Sequence, residues 1–191
     1  MKIVCLLGSP RENGNSSTIA KRFCDSAGRL GAEVKTFSLN KLEFRGCQGC
    51  MLCKTKLDKC ALEDDLTEVL EAVRSADVLV LASPVYYWDV SAQLKAFLDR
   101  TFSYLMPDYI SNPNKSRLQP GKKLVFILAQ ANPDETKFTD IFPKFDFFFR
   151  MYGFSESHFI RACGVYSAGT VETKEDVLSL AEKTAETICS G

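Results

Sequence analysis

The chain has 191 residues, of which 46% are hydrophobic and 25% charged, the make-up of a globular domain with a substantial core. Twenty-four basic and twenty-four acidic residues cancel to a formal charge of zero, which argues against a polyanionic partner such as nucleic acid. No apolar run approaches the ~20 residues needed to span a bilayer, and Met1–Leu7 is too short for the core of an export signal. The expectation is a cytoplasmic protein without a membrane partner.

Met1–Leu7 (MKIVCLL) reads as a first strand. Gly8–Thr18 (GSPRENGNSST) follows as a loop, and Thr18–Leu30 is a helix with Ile19, Ala20, Phe23, Ala27 and Leu30 at helical spacing. A strand, a small polar loop and a helix start together make an anion site, because the N–H groups of the first helical turn lack partners and the helix dipole favours negative charge. Ser9, Ser16, Ser17 and Thr18 add hydroxyls, Asn15 an amide and Arg11 a guanidinium. The alternative is a polar turn with Ser16 as N-cap. The loop's place after the first strand, where open α/β sheets hold ligands, favours the anion site. With no Lys between Gly8 and Thr18 the Walker pattern is absent, and so is G-x-G-x-x-G; a phosphate monoester held without metal is expected.

Ala32–Leu39 alternates as a second strand, and a cysteine-rich insert spans residues 45–62. Glu63-Asp64-Asp65 opens a helix running to Ala76, with its acids at the favourable end. Asp77–Ala82 is a continuous apolar run, the mark of a central parallel strand. Ser83–Val90 reads as a loop and Ser91–Leu105 as a helix. Met106–Gly121, with three prolines, is a long loop. Lys123–Gln130 is a fourth strand, Glu135–Tyr152 an amphipathic segment rich in phenylalanine, Ser157–Val165 a fifth strand and Lys174–Cys189 the closing helix. Strands alternating with helices predict one α/β domain over 1–191, a five-stranded parallel sheet of order 2-1-3-4-5 with helices on both faces.

Four of the eight cysteines form the pattern C-x2-C-x2-C-x6-C at Cys47, Cys50, Cys53 and Cys60. Three thiolates at two-residue gaps can take three corners of an iron–sulfur cube, and a fourth after a short loop can close it. Gly46 and Gly49 allow the tight backbone turns this needs. A tetrahedral zinc site, a thiol–disulfide switch and free thiols are the other readings. Cys5, Cys24, Cys163 and Cys189 fit apparent strands and helices and are expected to be small core residues. The one histidine, His158, reads as a structural or surface residue.

GSPRENGNSST and SPVYYWDVSAQLKAFLDR (Ser83–Arg100) together resemble the flavodoxin superfamily, in particular its NADPH-dependent FMN reductase branch. The resemblance implies the three-layer flavodoxin-like fold and bound FMN. Ser9, Arg11, Asn15, Ser16, Ser17 and Thr18 match that branch's phosphate-binding positions, and Pro84, Val85, Tyr86, Tyr87 and Trp88 match the loop around the flavin ring. Tyr87, Trp88 and Asp89 are bulkier than the small residues many members carry there. The third flavin loop would be Ala129–Asn132, which lacks the usual glycine pair. The cysteine pattern is similar to that of the iron–sulfur flavoproteins, which carry a compact motif between second strand and second helix. This implies a 4Fe-4S cluster on Cys47, Cys50, Cys53 and Cys60, a homodimer or homotetramer, and a small redox partner: ferredoxin, NAD(P)H, a quinone or dioxygen. The rival readings are an NAD(P)H-dependent FMN or quinone reductase without a cluster, and a non-enzymatic flavin or metal–thiolate sensor.

Overall fold

The computed structural model describes residues 1–190. Its centre is a parallel sheet of β1 (Lys2–Leu7), β2 (Glu33–Ser38), β3 (Val78–Tyr86), β5 (Lys122–Ala129) and β6 (Phe154–Ala162), in the order β2-β1-β3-β5-β6. The two-residue β4 (Asp89–Val90) stands off this path and pairs antiparallel with the end of β3. Setting β4 aside, this is the expected 2-1-3-4-5 topology.

Alternation along the strands sorts two cores. Leu79, Leu81, Leu124, Phe126 and Leu128 face α3 (Leu66–Ser75), α4 (Ala92–Arg100) and α5 (Ile141–Met151). Val78, Val80, Val125 and Ile127 turn the other way, onto α1 (Asn15–Arg29) and α6 (Glu175–Ser190). The smaller branched residues thus meet the close pair α1 and α6, and the larger ones fill the side where α3, α4 and the phenylalanine-rich α5 pack. No helix among the described residues is long and apolar enough to cross a membrane.

The differences from expectation are local. Ser83–Val90 is not a loop: β3 continues to Tyr86 and turns back through Tyr87 and Trp88 into β4, because aromatic and β-branched residues favour extended pairing. The last strand starts three residues earlier than its apolar run, at Phe154, since ladder hydrogen bonds to β5 carry the polar stretch Ser155–His158. Helix α1 begins at Asn15 on a Gly14 N-cap, so Ser16 is inside the helix and does not cap it. Within the cysteine-rich stretch there is one short helix, α2 (Leu52–Thr55).

Candidate functional site

The carboxyl ends of β1, β3 and β5 form one sheet edge, and a cleft of about 250 Å³ lies there. It is lined by Ser9, Arg11, Gly14, Asn15 and Ser16 from the first loop, by Pro84, Val85 and Tyr86 from β3, and by Ala129, Ala131, Val165 and Tyr166. Loop and sheet are packed without slack. A Cβ on Gly8 would lie 2.9 Å from Leu94 Cβ and from Ser91 Oγ, and one on Gly14 would lie 2.3 Å from Ser9 Oγ. The Gly8 N–H donates to Ala82 O at 2.8 Å and Ser91 Oγ donates to Gly8 O at 2.6 Å, which ties the loop to β3 and α4.

No side chain caps α1, so its first-turn N–H groups stay available to an anion. Ser16 Oγ sharpens this. The residue is 1% exposed, lines the cleft, and its hydroxyl has no hydrogen-bond partner. A buried polar atom without a partner costs about 1–3 kcal/mol, a cost that an acceptor such as a phosphate oxygen in the cleft would remove. The residues present therefore fit a phosphate-bearing cofactor.

The structure divides the other expected phosphate ligands. Ser9 Oγ accepts from the Arg11 N–H at 3.1 Å. The Arg11 guanidinium donates to Tyr166 O at 3.0 Å, anchoring its arm across the cleft mouth. Asn15 is a structural strut: its amide donates to Val165 O at 3.0 Å and Ser167 O at 2.8 Å, and its Oδ1 accepts from the Val171 N–H at 3.1 Å. Ser17 and Thr18 line a different cavity, between α1 and β2, and the Thr18 hydroxyl donates to Gly14 O at 3.3 Å.

In the aromatic trio only Tyr86 lines the cleft. Tyr87 and Trp88 sit at φ 45° and 62°, both in the left-handed region that bulky residues rarely adopt. Tyr87 is fully exposed, whereas Trp88 meets the Phe138 ring edge-on at 5.1 Å. Lys144 on α5 pairs with Asp89 at 2.8 Å and holds the hairpin from the other side. Val165 and Tyr166 were not expected at the site. Their signal was topological, since the end of a fifth parallel strand must reach the same sheet edge.

The cysteine segment lies beside α4. Cys47 and Cys50 are exposed, Cys53 buried and Cys60 half-buried. Burial pushes the Cys53 thiol up in pKa, Lys54 draws it back down, and Cys60 and Cys50 are near enough to oppose its ionisation. Cys47 instead lines a large apolar cavity bounded by α4 and α5, while Cys60 lines a small one against α3. Among the described residues no three His, Cys, Asp or Glu side chains converge as a metal-ligand set. The donor chemistry, four thiols with glycines at Gly46 and Gly49, fits a thiolate-held cluster; in this conformation Cys50 and Cys60 each lie within electrostatic reach of Cys53, and Cys47 is turned to the cavity between α4 and α5.

What anchors this segment is Arg100, whose side chain is wholly buried. Its Nη1 donates to both Asp64 carboxylate oxygens at 2.6 Å and to Arg45 O at 3.2 Å, and its Nη2 donates to Leu62 O at 3.0 Å. Arg45 and Leu62 bracket the cysteines, so one guanidinium grips both ends of the loop. Burial raises the Asp64 carboxyl, but hydrogen bonds from Arg100 and from the Arg45 N–H outweigh it and hold the group below the usual aspartate range. Cys5 and Cys24 are buried core residues as expected, Cys163 and Cys189 half-buried. His158 contacts Glu156 at 2.7 Å midway along β6, consistent with a structural place.

The family model for NADPH-dependent FMN reductase matches residues 1–136. An iron–sulfur flavoprotein of Methanocaldococcus jannaschii is 39% identical over 101 residues, 53% of this chain and 52% of that one. An iron–sulfur flavoprotein of Archaeoglobus fulgidus is 38% identical over 104 residues, 54% of this chain and 47% of that one. The chain thus spans about half the length of the curated relatives it matches. Among solved structures, an NAD(P)H:quinone oxidoreductase from Methanothermobacter marburgensis superposes with a TM-score of 0.78 at 19% identity, covering 98% of this chain and 96% of that one; this likeness speaks to the fold.

Proposed function

The chain belongs to the NADPH-dependent FMN reductase family, and from that premise we propose that it is an FMN-dependent oxidoreductase of the iron–sulfur flavoprotein type. The observation that carries the FMN reading is the partnerless, buried Ser16 hydroxyl beside the uncapped start of α1. Ser16 and the first-turn N–H groups would hold the phosphate, with Ser9 and Arg11 shaping the loop. Asn15 acts one step back, by fixing the 165–171 loop as the far wall. Pro84, Val85 and Tyr86 would line one side of the flavin ring, and Tyr87 and Trp88 project beyond it. FMN, when bound, exchanges electrons singly or in pairs, and NAD(P)H or ferredoxin is the donor class this reading expects.

Cys47, Cys50, Cys53 and Cys60 are proposed as the ligands of a 4Fe-4S cluster, which passes single electrons. The support is their spacing and the names of relatives that match about half of this chain. Metal sites of this kind close on their occupant, because ligand binding and local folding are coupled. Cys47, carried on a short arm next to Gly46 and Gly49, is the residue that must turn inward. A second reading, a reductase without a cluster, draws on the same geometry, since Cys47 and Cys60 line different cavities.

An absorption spectrum of protein purified without oxygen, with iron and acid-labile sulfide assayed on the same sample, tests both. Flavin bands with about four irons per chain, as a four-cysteine cluster requires, support the proposal. Flavin without iron supports the second reading, and failure to bind added FMN refutes the assignment of the cleft.

A further inference from the structure

Four cations hold the cysteine segment through backbone carbonyls. Arg100 grips Arg45 and Leu62, Arg74 donates to Asp58 O at 3.2 Å, and Arg117 donates from Nη1 to Ser103 O at 2.8 Å and from Nη2 to Leu57 O at 3.4 Å. Lys54, beside Cys53, donates to Phe102 O at 2.6 Å and Leu105 O at 2.7 Å, with its ammonium 4.2 Å from the centre of the Phe102 ring. The four differ in how their charge is balanced. Arg100 faces the Asp64 carboxylate and Arg74 that of Glu71. Lys54 and Arg117 are held by carbonyls and an aromatic face, which fix the position of a cation without cancelling its charge. Lys54 directly follows Cys53 in the chain, and Arg117 reaches the Leu57 carbonyl, between Cys53 and Cys60.

Two fixed and unbalanced positive charges thus flank the middle of the four-cysteine motif. We propose that Lys54 and Arg117 are positioning residues that lock the cysteine segment in place and raise the reduction potential of the metal–thiolate group it holds. The inference rests on the cluster reading above. Four thiolates around a cluster leave the site net negative. An electron supplied by a reduced flavin would add one more negative charge to such a group without breaking a bond, so Lys54 and Arg117 beside it would favour the reduced state. Lys54 is placed to do this at short range because its two carbonyl contacts and the Phe102 ring keep it from turning to solvent.

The test is a redox titration, followed by absorption or electron paramagnetic resonance, of the iron-loaded wild type, Lys54→Gln, Arg117→Gln and the double variant. Each single change is expected to move the cluster midpoint to a more negative potential, and the double variant further, while the flavin midpoint stays closer to its wild-type value. Lys54→Arg and Arg117→Lys, which keep the charge, are expected to stay near wild type. Iron-loaded Gln variants with an unmoved cluster midpoint overturn the inference and leave the cluster reading standing. A wild type without iron instead overturns the cluster reading itself. If Lys54→Gln fails to load iron, recovery of loading and potential in Lys54→Arg supports the proposal, and a charge-keeping variant that stays as empty as the Gln variant overturns it.

Discussion

Replacing Arg100 by methionine would remove the group that joins both ends of the cysteine segment to α4. The lost contacts are two bonds to Asp64 at 2.6 Å and those to the carbonyls of Arg45 and Leu62. Asp64 would keep only the N–H groups of Arg45 and Leu66. Breaking a buried ion pair from one side typically costs about 3–5 kcal/mol, a large part of the ~5–15 kcal/mol that separates a folded domain from its unfolded chain. For a chain of this length that is a fall in Tm of roughly 6–20 °C. Asp64→Asn should cost a comparable amount, since it leaves the guanidinium buried opposite a neutral amide. The double variant Arg100→Met, Asp64→Asn should lose less than the sum of the two single changes, because neither charge then remains buried alone. Urea unfolding of the four proteins at pH 7 measures all three terms. An Arg100→Met loss below about 1 kcal/mol, or additive single losses, would show that the pair is not coupled as argued. The pH dependence follows from the same pair. Asp64 is more acidic folded than unfolded, so its stabilisation is complete above the ordinary aspartate pKa of about 3.9 and disappears as pH falls through the lower folded value. In Arg100→Met this acid-side loss should shrink.

Ser16→Ala should raise the stability of the cofactor-free protein by about 1 kcal/mol, because it removes a buried hydroxyl that has no partner. It should weaken FMN about tenfold to a hundredfold, the equivalent of one hydrogen bond of about 1.5–3 kcal/mol to a charged group; fluorescence titration with FMN and with riboflavin measures it, and an equal loss for riboflavin would place Ser16 away from the phosphate. Tyr87→Gly should stabilise the protein by about 1 kcal/mol in thermal melts, since a left-handed position is unstrained for glycine and Tyr87 is fully exposed, with little packing to forfeit; a loss of stability would mean that the Tyr87 ring is covered in solution.

The order of elements was legible because alternation and apolar runs report burial directly. Asp77–Ala82 could only be a strand covered on both faces, and it lies at the sheet centre. The phosphate loop was legible for a related reason: a polar stretch between a strand and an amphipathic helix can occupy only one edge of an α/β sheet. What its side chains do was not. Asn15 and Ser16 are neighbours with similar chemistry, yet one is tied to the 165–171 loop and the other has no partner. That division depends on where residues 150 positions away return. Ser17 and Thr18 follow from the helical twist, which after Ser16 carries side chains round to the β2 side of α1. Arg100 escaped notice because it reads as an ordinary basic residue near a helix end; its partners Arg45, Leu62 and Asp64 lie across the insert.

Helix α4 relates the two parts of the site. At its start Ser91 Oγ donates to Gly8 O at 2.6 Å and the Ser91 N–H donates to Ser83 Oγ at 2.9 Å, joining the phosphate loop to the strand that turns into the aromatic hairpin. At its end Arg100 holds the cysteine segment. Nine residues of α-helix are about 13 Å long, and the apolar face of α4, through Leu94, Phe97 and Leu98, is sunk in the core. A rod of fixed length, buried along one side and bonded at both ends, keeps the loop after β1 and the base of the cysteine segment at a set separation. Substitutions at either end should therefore be felt at the other, whereas those in the Gly46–Cys50 arm, which hangs free of α4's bonds, should affect the cysteines alone.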